Sequence, residues 1–197
     1  MSLAVPDLSD GVVRLRVPER RDVDPIHAAC QDADIIRFTR VPYPYSRVHA
    51  QTFVRNSGHE LRAGTAAHLV IADAATDTLL GCCGLMLDRP RRSAEVGYWV
   101  APEQRRRGAA SRSVRLLVGW AFGSLGIVRV QLMADLRNLP SQEVAQRCGF
   151  QREGVLRSYE DRLGSRIDYV MFSRLVDDVV GPGPSGPDPS GPAPKAP

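Results

Sequence analysis

Residues 94–134 restrict the fold of this chain more than any other stretch. AEVGYWV (94–100) alternates like a strand, and VRVQLMA (128–134) reads as a second one. Between them Val114, Leu117, Val118, Ala121, Phe122 and Leu125 follow i, i+3, i+4, i+7, i+8, i+11, the apolar face of one α-helix starting near Ala109. Gly126 closes that helix. A strand, a helix and a second strand joined in this way form a right-handed crossover, which sets the two strands parallel in one sheet.

The flanking segments predict a different pairing. VVRLRV (12–17), AAHLVIAD (66–73) and LLGCCGLML (79–87) read as strands, and the last two run into 94–100 through short turns, as a meander does. Two further strands are expected near 152–159 and 166–175, with a short helix over 141–148 stopped at Gly149. Near the start, Asp22 or Asp24 can cap a helix carrying Pro25 and running through IHAACQ. Ser46 can cap another through Ala50, Phe53 and Val54. The predicted order is β–α–α–β–β–β–α–β–α–β–β. This is an α+β (mixed α/β) domain over residues 8–178, with one parallel crossover in a mainly antiparallel sheet.

Residues 179–197 read differently. GPGPSGPDPSGPAPKAP (181–197) has no large apolar residue, so nothing offsets the entropy of ordering it, and a disordered Pro/Gly-rich tail is expected. Its GPGPSG satisfies GxGxxG formally, but without a preceding strand or a following helix it is no dinucleotide loop.

The chain of 197 residues, 43% hydrophobic and 24% charged, has the make-up of a globular domain. No apolar run approaches the roughly 20 residues of a membrane-spanning helix, and MSLAVPDLSDG lacks the features of a secretory signal. A cytoplasmic location is expected. Cys30, Cys82, Cys83 and Cys148 form no CxxC pair, and the four histidines show no zinc-ligand spacing, so core thiols and no metal are expected.

QRRRGAAS (104–111) enters the central helix. A helix N-terminus offers free backbone N–H groups and the positive end of the helix dipole, a ready site for anions. Gly108 lets the main chain approach a ligand, and Ala109 and Ala110 leave that approach open. Ser111 adds a hydroxyl, and Arg105 and Arg107 add charge. Arg105-Arg106-Arg107 can also be a solvated loop, since the net charge of +4 comes from a chain with lysine only at Lys195 and arginine elsewhere. A nucleic-acid patch is a third reading, disfavoured by the lack of interleaved aromatics.

AEVGYWVAPEQRRRGAASRSVRLLVGWAF followed by NLPSQEVAQRCGFQREGVLR resembles the GCN5-related N-acetyltransferase (GNAT) superfamily, in its branch of ribosomal-protein N-terminal acetyltransferases and their relatives. Arg105–Ala110 matches that family's acetyl-CoA signature, R/Q-x-x-G-x-G/A, with Arg106 where many relatives carry glycine. The resemblance spans about residues 10–175 and implies a V-shaped split between the strands at 94–100 and 128–134. It places the pantetheine of acetyl-CoA along Trp99 and Val100, a main-chain N–H near Val100 as oxyanion donor, the pyrophosphate at 105–110, and Asn138 on the cosubstrate. Ser141 is implied near the sulfur as general acid, and Ala145 stands where other branches carry a tyrosine. Glu95 is implied as base, with Asp168 as a weaker alternative, and Tyr43 and Tyr45 as liners of the acceptor cleft.

Each assignment has a plainer counterpart: Ser141 as a helix cap, Glu95 as an ion-paired strand residue, Tyr43 and Tyr45 as loop packing. The implied activity is acetyl transfer to a primary amine, a protein N-terminus or a small molecule. The alternatives are an acyl-CoA-binding module without turnover and an arginine-rich RNA- or ribosome-binding protein. Neither membrane nor nucleic-acid partners are expected, and both monomer and homodimer are compatible with the sequence.

Overall fold

The computed structural model describes residues 3–178. The expected tail over 179–197, with its GPGPSG, lies outside the described residues. The strands are β1 (Leu8–Ser9), β2 (Val13–Arg16), β3 (Ala66–Asp73), β4 (Leu79–Asp88), β5 (Ser93–Val100), β6 (Arg129–Asp135), β7 (Gln151–Arg162) and β8 (Ser165–Leu175). The helices are α1 (Val23–Ala29), α2 (Ala33–Phe38), α3 (Arg47–Ala63), α4 (Ala109–Ser124) and α5 (Leu139–Arg147). One sheet carries the strands in the order β1-β2-β3-β4-β5-β6-β8-β7, and among the described strands β5–β6 is the one parallel pairing. The crossover and the antiparallel meander have the predicted form.

β1 and α2 were not predicted. β1 is two residues long and exists by pairing with β2. α2 is a six-residue helix started by Asp32, whose side chain accepts from the Ile35 N–H. A helix this short leaves too few residues for a periodic signal. Asp22 does sit at the start of α1, but its carboxylate does not cap that helix. It accepts instead from both terminal nitrogens of Arg16, at 2.7 and 2.9 Å, and from the Glu19 N–H. α5 starts earlier than predicted because Asn138, not Ser141, is its cap.

The sheet divides two cores. On one face α4 and α5 cover Val13, Leu15, Leu69, Ile71, Leu85, Val96, Val130 and Leu132. Val114, Leu117, Val118 and Ala121 of α4 are fully buried there, as the periodicity predicts. Trp120 is also buried, whereas Phe122 and Leu125 are only partly so, because the apolar face of α4 extends toward Leu3, Leu8 and β2. On the other face α1–α3 pack Val23, Ile26, Ile35 and Ala50 against Val70, Ala72, Cys82 and Trp99. All four cysteines are buried free thiols. Among the described residues no helix is long and apolar enough to cross a membrane.

Two glycines of β4 bring the central strands close. A Cβ at Gly81 would lie 2.2 Å from the Trp99 carbonyl oxygen of β5, and one at Gly84 would lie 2.7 Å from the Ala67 carbonyl oxygen of β3. Only glycine permits the observed spacing at either point. The far end of the sheet is pinned by Arg129 of β6, whose two terminal nitrogens reach both carboxylate oxygens of Glu153 on β7 at 2.7 and 2.6 Å. Ser173 of β8, the strand between them, also donates to Glu153 at 2.7 Å.

The Arg129 and Ser173 hydrogen bonds hold the Glu153 carboxyl down to about 2. A depressed carboxylate contributes stability above its unfolded-state pKa and loses it as pH falls through the folded one. Glu153→Gln is expected to lower stability by about 1 kcal/mol at pH 7, because this half-exposed pair is screened by solvent. The difference from the parent should fade between about pH 4.5 and 2, as urea denaturation at a series of pH values would measure.

Candidate functional site

β5 and β6 pair only at Ser93↔Arg129, Ala94↔Val130 and Glu95↔Gln131. Beyond that point β5 continues to Val100 paired with β4 alone, and β6 continues to Asp135 paired with β8 alone. The sheet therefore splits at its centre. The Val128 N–H donates to the Arg92 carbonyl, and the Ala101 N–H donates to the Leu80 carbonyl on the opposite side. Strand alternation then turns the N–H and C=O groups of Val96, Tyr98 and Val100 toward the split, where no strand meets them. The sequence reading placed an oxyanion donor near Val100, and the Val100 N–H has this direction.

Side chains alternate as well. Val96, Tyr98 and Val100 lie on the α4/α5 face, while Trp99 joins the α1–α3 core. Trp99 turns its side chain into that core and its peptide N–H and C=O toward β4, so the groups that face the split belong to its neighbours Tyr98 and Val100. Tyr98, which sequence reasoning quoted but gave no role, stands on the face where α5 begins. Its hydroxyl is 2.9 Å from Ser141 Oγ. Burial pushes the Tyr98 phenol well above its ordinary range, so it stays protonated. The signal was parity: on a strand, the residue beside the expected Trp99 is the one whose side chain faces α5.

Ser141 is fixed from two directions. A tight turn after β6 carries the chain to Asn138, whose N–H donates to the Asp135 carbonyl at 2.8 Å. Asn138 Oδ1 accepts from the Ser141 N–H at 3.2 Å, which starts α5 and leaves the Asn138 amide donors uncommitted. The Asp135 carboxylate, itself buried, takes the Arg137 guanidinium at 2.9 and 2.6 Å and holds the turn.

The loop before α4 is shaped by backbone. Arg106 and Gly108 both have positive φ, at 62° and 82°. A Cβ at Gly108 would meet nothing closer than Arg112 Nε at 3.8 Å, so the glycine is required by conformation and not by space. The first helical bond of α4 runs from the Arg112 N–H to the Gly108 carbonyl, so the N–H groups of Ala109, Ala110 and Ser111 have no intrahelical acceptor. No acidic residue occupies the first turn of α4. An anion placed there meets three backbone donors and an uncompensated helix dipole. This donor set fits a pyrophosphate.

The three arginines are not equivalent. Arg105 turns away from this corner: it pairs with Asp32 and, at 3.2 Å, with Asp34 on α2, while its Nε donates to the Val100 carbonyl at 3.3 Å. Arg107 donates to Gln104 Oε1 at 3.1 Å and is exposed, as is Arg106. Arg105 thus ties α2 to the end of β5, and of the three arginines Arg106 and Arg107 are the two left near the start of α4.

Glu95 lies on the α1–α3 face, where Arg40 donates to its carboxylate at 3.0 Å and to Glu160 of β7 at 3.2 Å. Half-exposed Arg40 thus bridges two carboxylates that are 20% and 25% exposed. Beside Glu95 is an open cavity of about 400 Å³ lined by Met86, Asp88, Arg91, Ser93 and Gln131. Asp168 accepts from the Ser158 N–H at 2.6 Å and holds an irregularity of β7. Tyr45 is buried between His27 and His49 in the α1–α3 core, and Tyr43 is exposed on the preceding loop. Packing accounts for Tyr45. Among the described residues no cluster of histidine, cysteine or carboxylate side chains converges as a metal site.

Comparison with known proteins agrees with this geometry. The acetyltransferase (GNAT) domain family matches residues 13–151. An N-acetyltransferase called p20 from Bacillus licheniformis is 30% identical over 169 residues, covering 85% of this chain and 94% of the relative. The ribosomal-protein-serine acetyltransferase of Escherichia coli is 28% identical over 102 residues, covering 51% of this chain and 57% of that protein. Among solved structures, the ribosomal L7/L12 α-N-protein acetyltransferase RimL in complex with coenzyme A superposes with a TM-score of 0.77 at 21% identity, over 87% of this chain and 98% of that one. The microcin C7 self-immunity acetyltransferase MccE, in complex with acetyl-CoA and AMP, gives 0.78 at 21% identity, over 85% and 94%. With its family match across most of the domain and the sheet split ahead of a helix N-terminus with free N–H groups, the chain belongs to the GNAT acetyltransferase family.

Proposed function

We propose that this protein is an N-acetyltransferase that passes the acetyl group of acetyl-CoA directly to a primary amine. The observation that carries this reading is the split beyond Glu95 and Gln131, open between two strands and continuous with the N-terminus of α4. Acetyl-CoA supplies the activated acetyl group as a thioester. The N–H groups of Ala109, Ala110 and Ser111 hold its pyrophosphate, with Arg106 and Arg107 alongside. The peptide groups of Val96, Tyr98 and Val100 run beside the pantetheine, and the Val100 N–H donates to the carbonyl oxygen as negative charge develops on it. The free amide of Asn138 donates to the same arm.

Glu95 receives the proton of the incoming ammonium, directly or through water, after that ammonium replaces Arg40 at the carboxylate. Ser141 gives a proton to the departing sulfur. The acceptor approaches from the Glu95 face, through the cavity lined by Met86 and Gln131. Relatives named as ribosomal-protein acetyltransferases favour a protein N-terminus as acceptor, with small-molecule amines as the other class.

Saturating acetyl-CoA, at about 100 times its Kd, should stabilise the protein by about 2.7 kcal/mol, or roughly 5–10 °C in Tm for a domain of this size. Gly108→Glu places a carboxylate at the dipole and a Cβ at a positive φ. It should remain folded in the absence of ligand and lose the thermal shift. An unchanged shift in this variant removes the loop from the phosphate site.

Release of free thiol from acetyl-CoA should depend on added amine, and a panel of N-terminal peptides and small amines identifies the acceptor. Glu95→Gln should lower kcat/KM about 100-fold or more while leaving the acetyl-CoA thermal shift within error. Binding of acetyl-CoA with no thiol release across the panel would point instead to a non-catalytic binding module.

A further inference from the structure

Tyr98 reaches across the split from β5 to the first turn of α5, and its hydroxyl meets Ser141 Oγ at 2.9 Å. Both groups carry one hydrogen, so the direction of this bond decides what Ser141 can do. A phenol is a stronger acid than an aliphatic alcohol and is the better donor of the two. Among the described residues Ser141 Oγ is the single hydrogen-bond partner of the part-buried Tyr98 hydroxyl. Ser141 is half-buried like Tyr98 and sits in the first turn of α5. The favourable arrangement has Tyr98 donating and Ser141 accepting, which leaves the serine hydrogen free.

We propose that Tyr98 is a positioning residue for the acetyl transfer: it donates to Ser141 Oγ and so directs the hydroxyl hydrogen of Ser141 at the departing sulfur. This rests on the reading of Ser141 as the group that protonates that sulfur. The amine nitrogen forms the new C–N bond and the C–S bond breaks with its electron pair on sulfur. Sulfur takes the hydrogen of Ser141, and the charge developing on Oγ is met by the Tyr98 donor bond. Oγ recovers a proton from solvent, balancing the one the amine released, so the cycle needs no further reactant. Asn138 completes the support by holding the Ser141 main chain at 3.2 Å. Tyr98 therefore fixes the side chain of Ser141 while Asn138 fixes its backbone.

The test compares Tyr98→Phe, Ser141→Ala and the double variant with two donors, acetyl-CoA and its seleno analogue. The selenol is a much stronger acid than the thiol and leaves with little need of a proton. With acetyl-CoA, Tyr98→Phe should lower kcat about tenfold, part of the 10²–10⁴ that general acid catalysis supplies. KM for acetyl-CoA and the thermal shift should stay within about twofold and within error, respectively. With the seleno donor the loss should shrink to less than about threefold. In the Ser141→Ala background, adding Tyr98→Phe should cost nothing more, because the two act as one unit.

Equal losses with both donors, or losses that multiply in the double variant, would overturn the role of Tyr98 and leave Ser141 in place. No loss in Tyr98→Phe alongside a large one in Ser141→Ala would do the same. A Ser141→Ala variant with the parent's kcat on acetyl-CoA would instead overturn the assignment of Ser141, and the role of Tyr98 with it.

Discussion

The missing strand pairing between β5 and β6 beyond Glu95 and Gln131 governs the rest of this molecule. In a sheet interior each strand expects a neighbour on both sides, and unmet backbone donors and acceptors cost free energy when they leave water. Here the chain keeps the outer pairings, β5 on β4 and β6 on β8, and gives up the inner one. The edge thus exposed offers a row of peptide groups at a fixed spacing. Such an edge suits a molecule that is itself rich in amides, as the proposed function requires, and the N-terminus of α4 has unmatched N–H groups. Both parts of the site are main chain, positioned by elements buried on both sides.

The sequence made this arrangement legible where the physics is local. The apolar face of α4, the glycine ahead of it and the strands on either side can be read from periodicity and backbone preference alone. The elements that escaped are those whose existence depends on distant partners. β1 is two residues held by β2, and α2 is one and a half turns held by its Asp32 cap and by Arg105. The carboxylate of Asp22, one of two candidate caps with Asp24, went to Arg16 instead, a choice settled by a partner brought close only by the fold. The pairing of Tyr98 with Ser141 joins residues 43 apart in sequence and could be seen only once strand parity and the start of α5 were both known.

Charge was the least legible quantity. Three consecutive arginines suggest one function, yet each has a different fate: Arg105 is taken up by α2, Arg107 leans on Gln104, and Arg106 turns outward at a positive φ. Arg16, Arg40, Arg112 and Arg129 are likewise spent on ion pairs within the domain. A basic composition of this kind holds loops and strand ends together before it offers anything to a partner. On the proposed reading, what residues 105–111 offer an anion therefore lies in Gly108 and the peptide groups after it, with two arginines as helpers.

The positions of Glu95 and Tyr98 give the split a chemical reason. They stand three residues apart on one strand, about 10 Å along it, and their side chains leave on opposite faces of the sheet. On the proposed roles, one face takes the proton from the amine and the other returns a proton to the sulfur. A continuous sheet would keep those two faces apart, because its hydrogen-bonded backbone leaves no passage for a reacting group. Opening the sheet between β5 and β6 lets one thioester be reached from both sides at once, the amine from the Glu95 face and the proton from the Ser141 face. On the proposed roles, the split is thus what allows a single strand to carry the base and the residue that positions the acid.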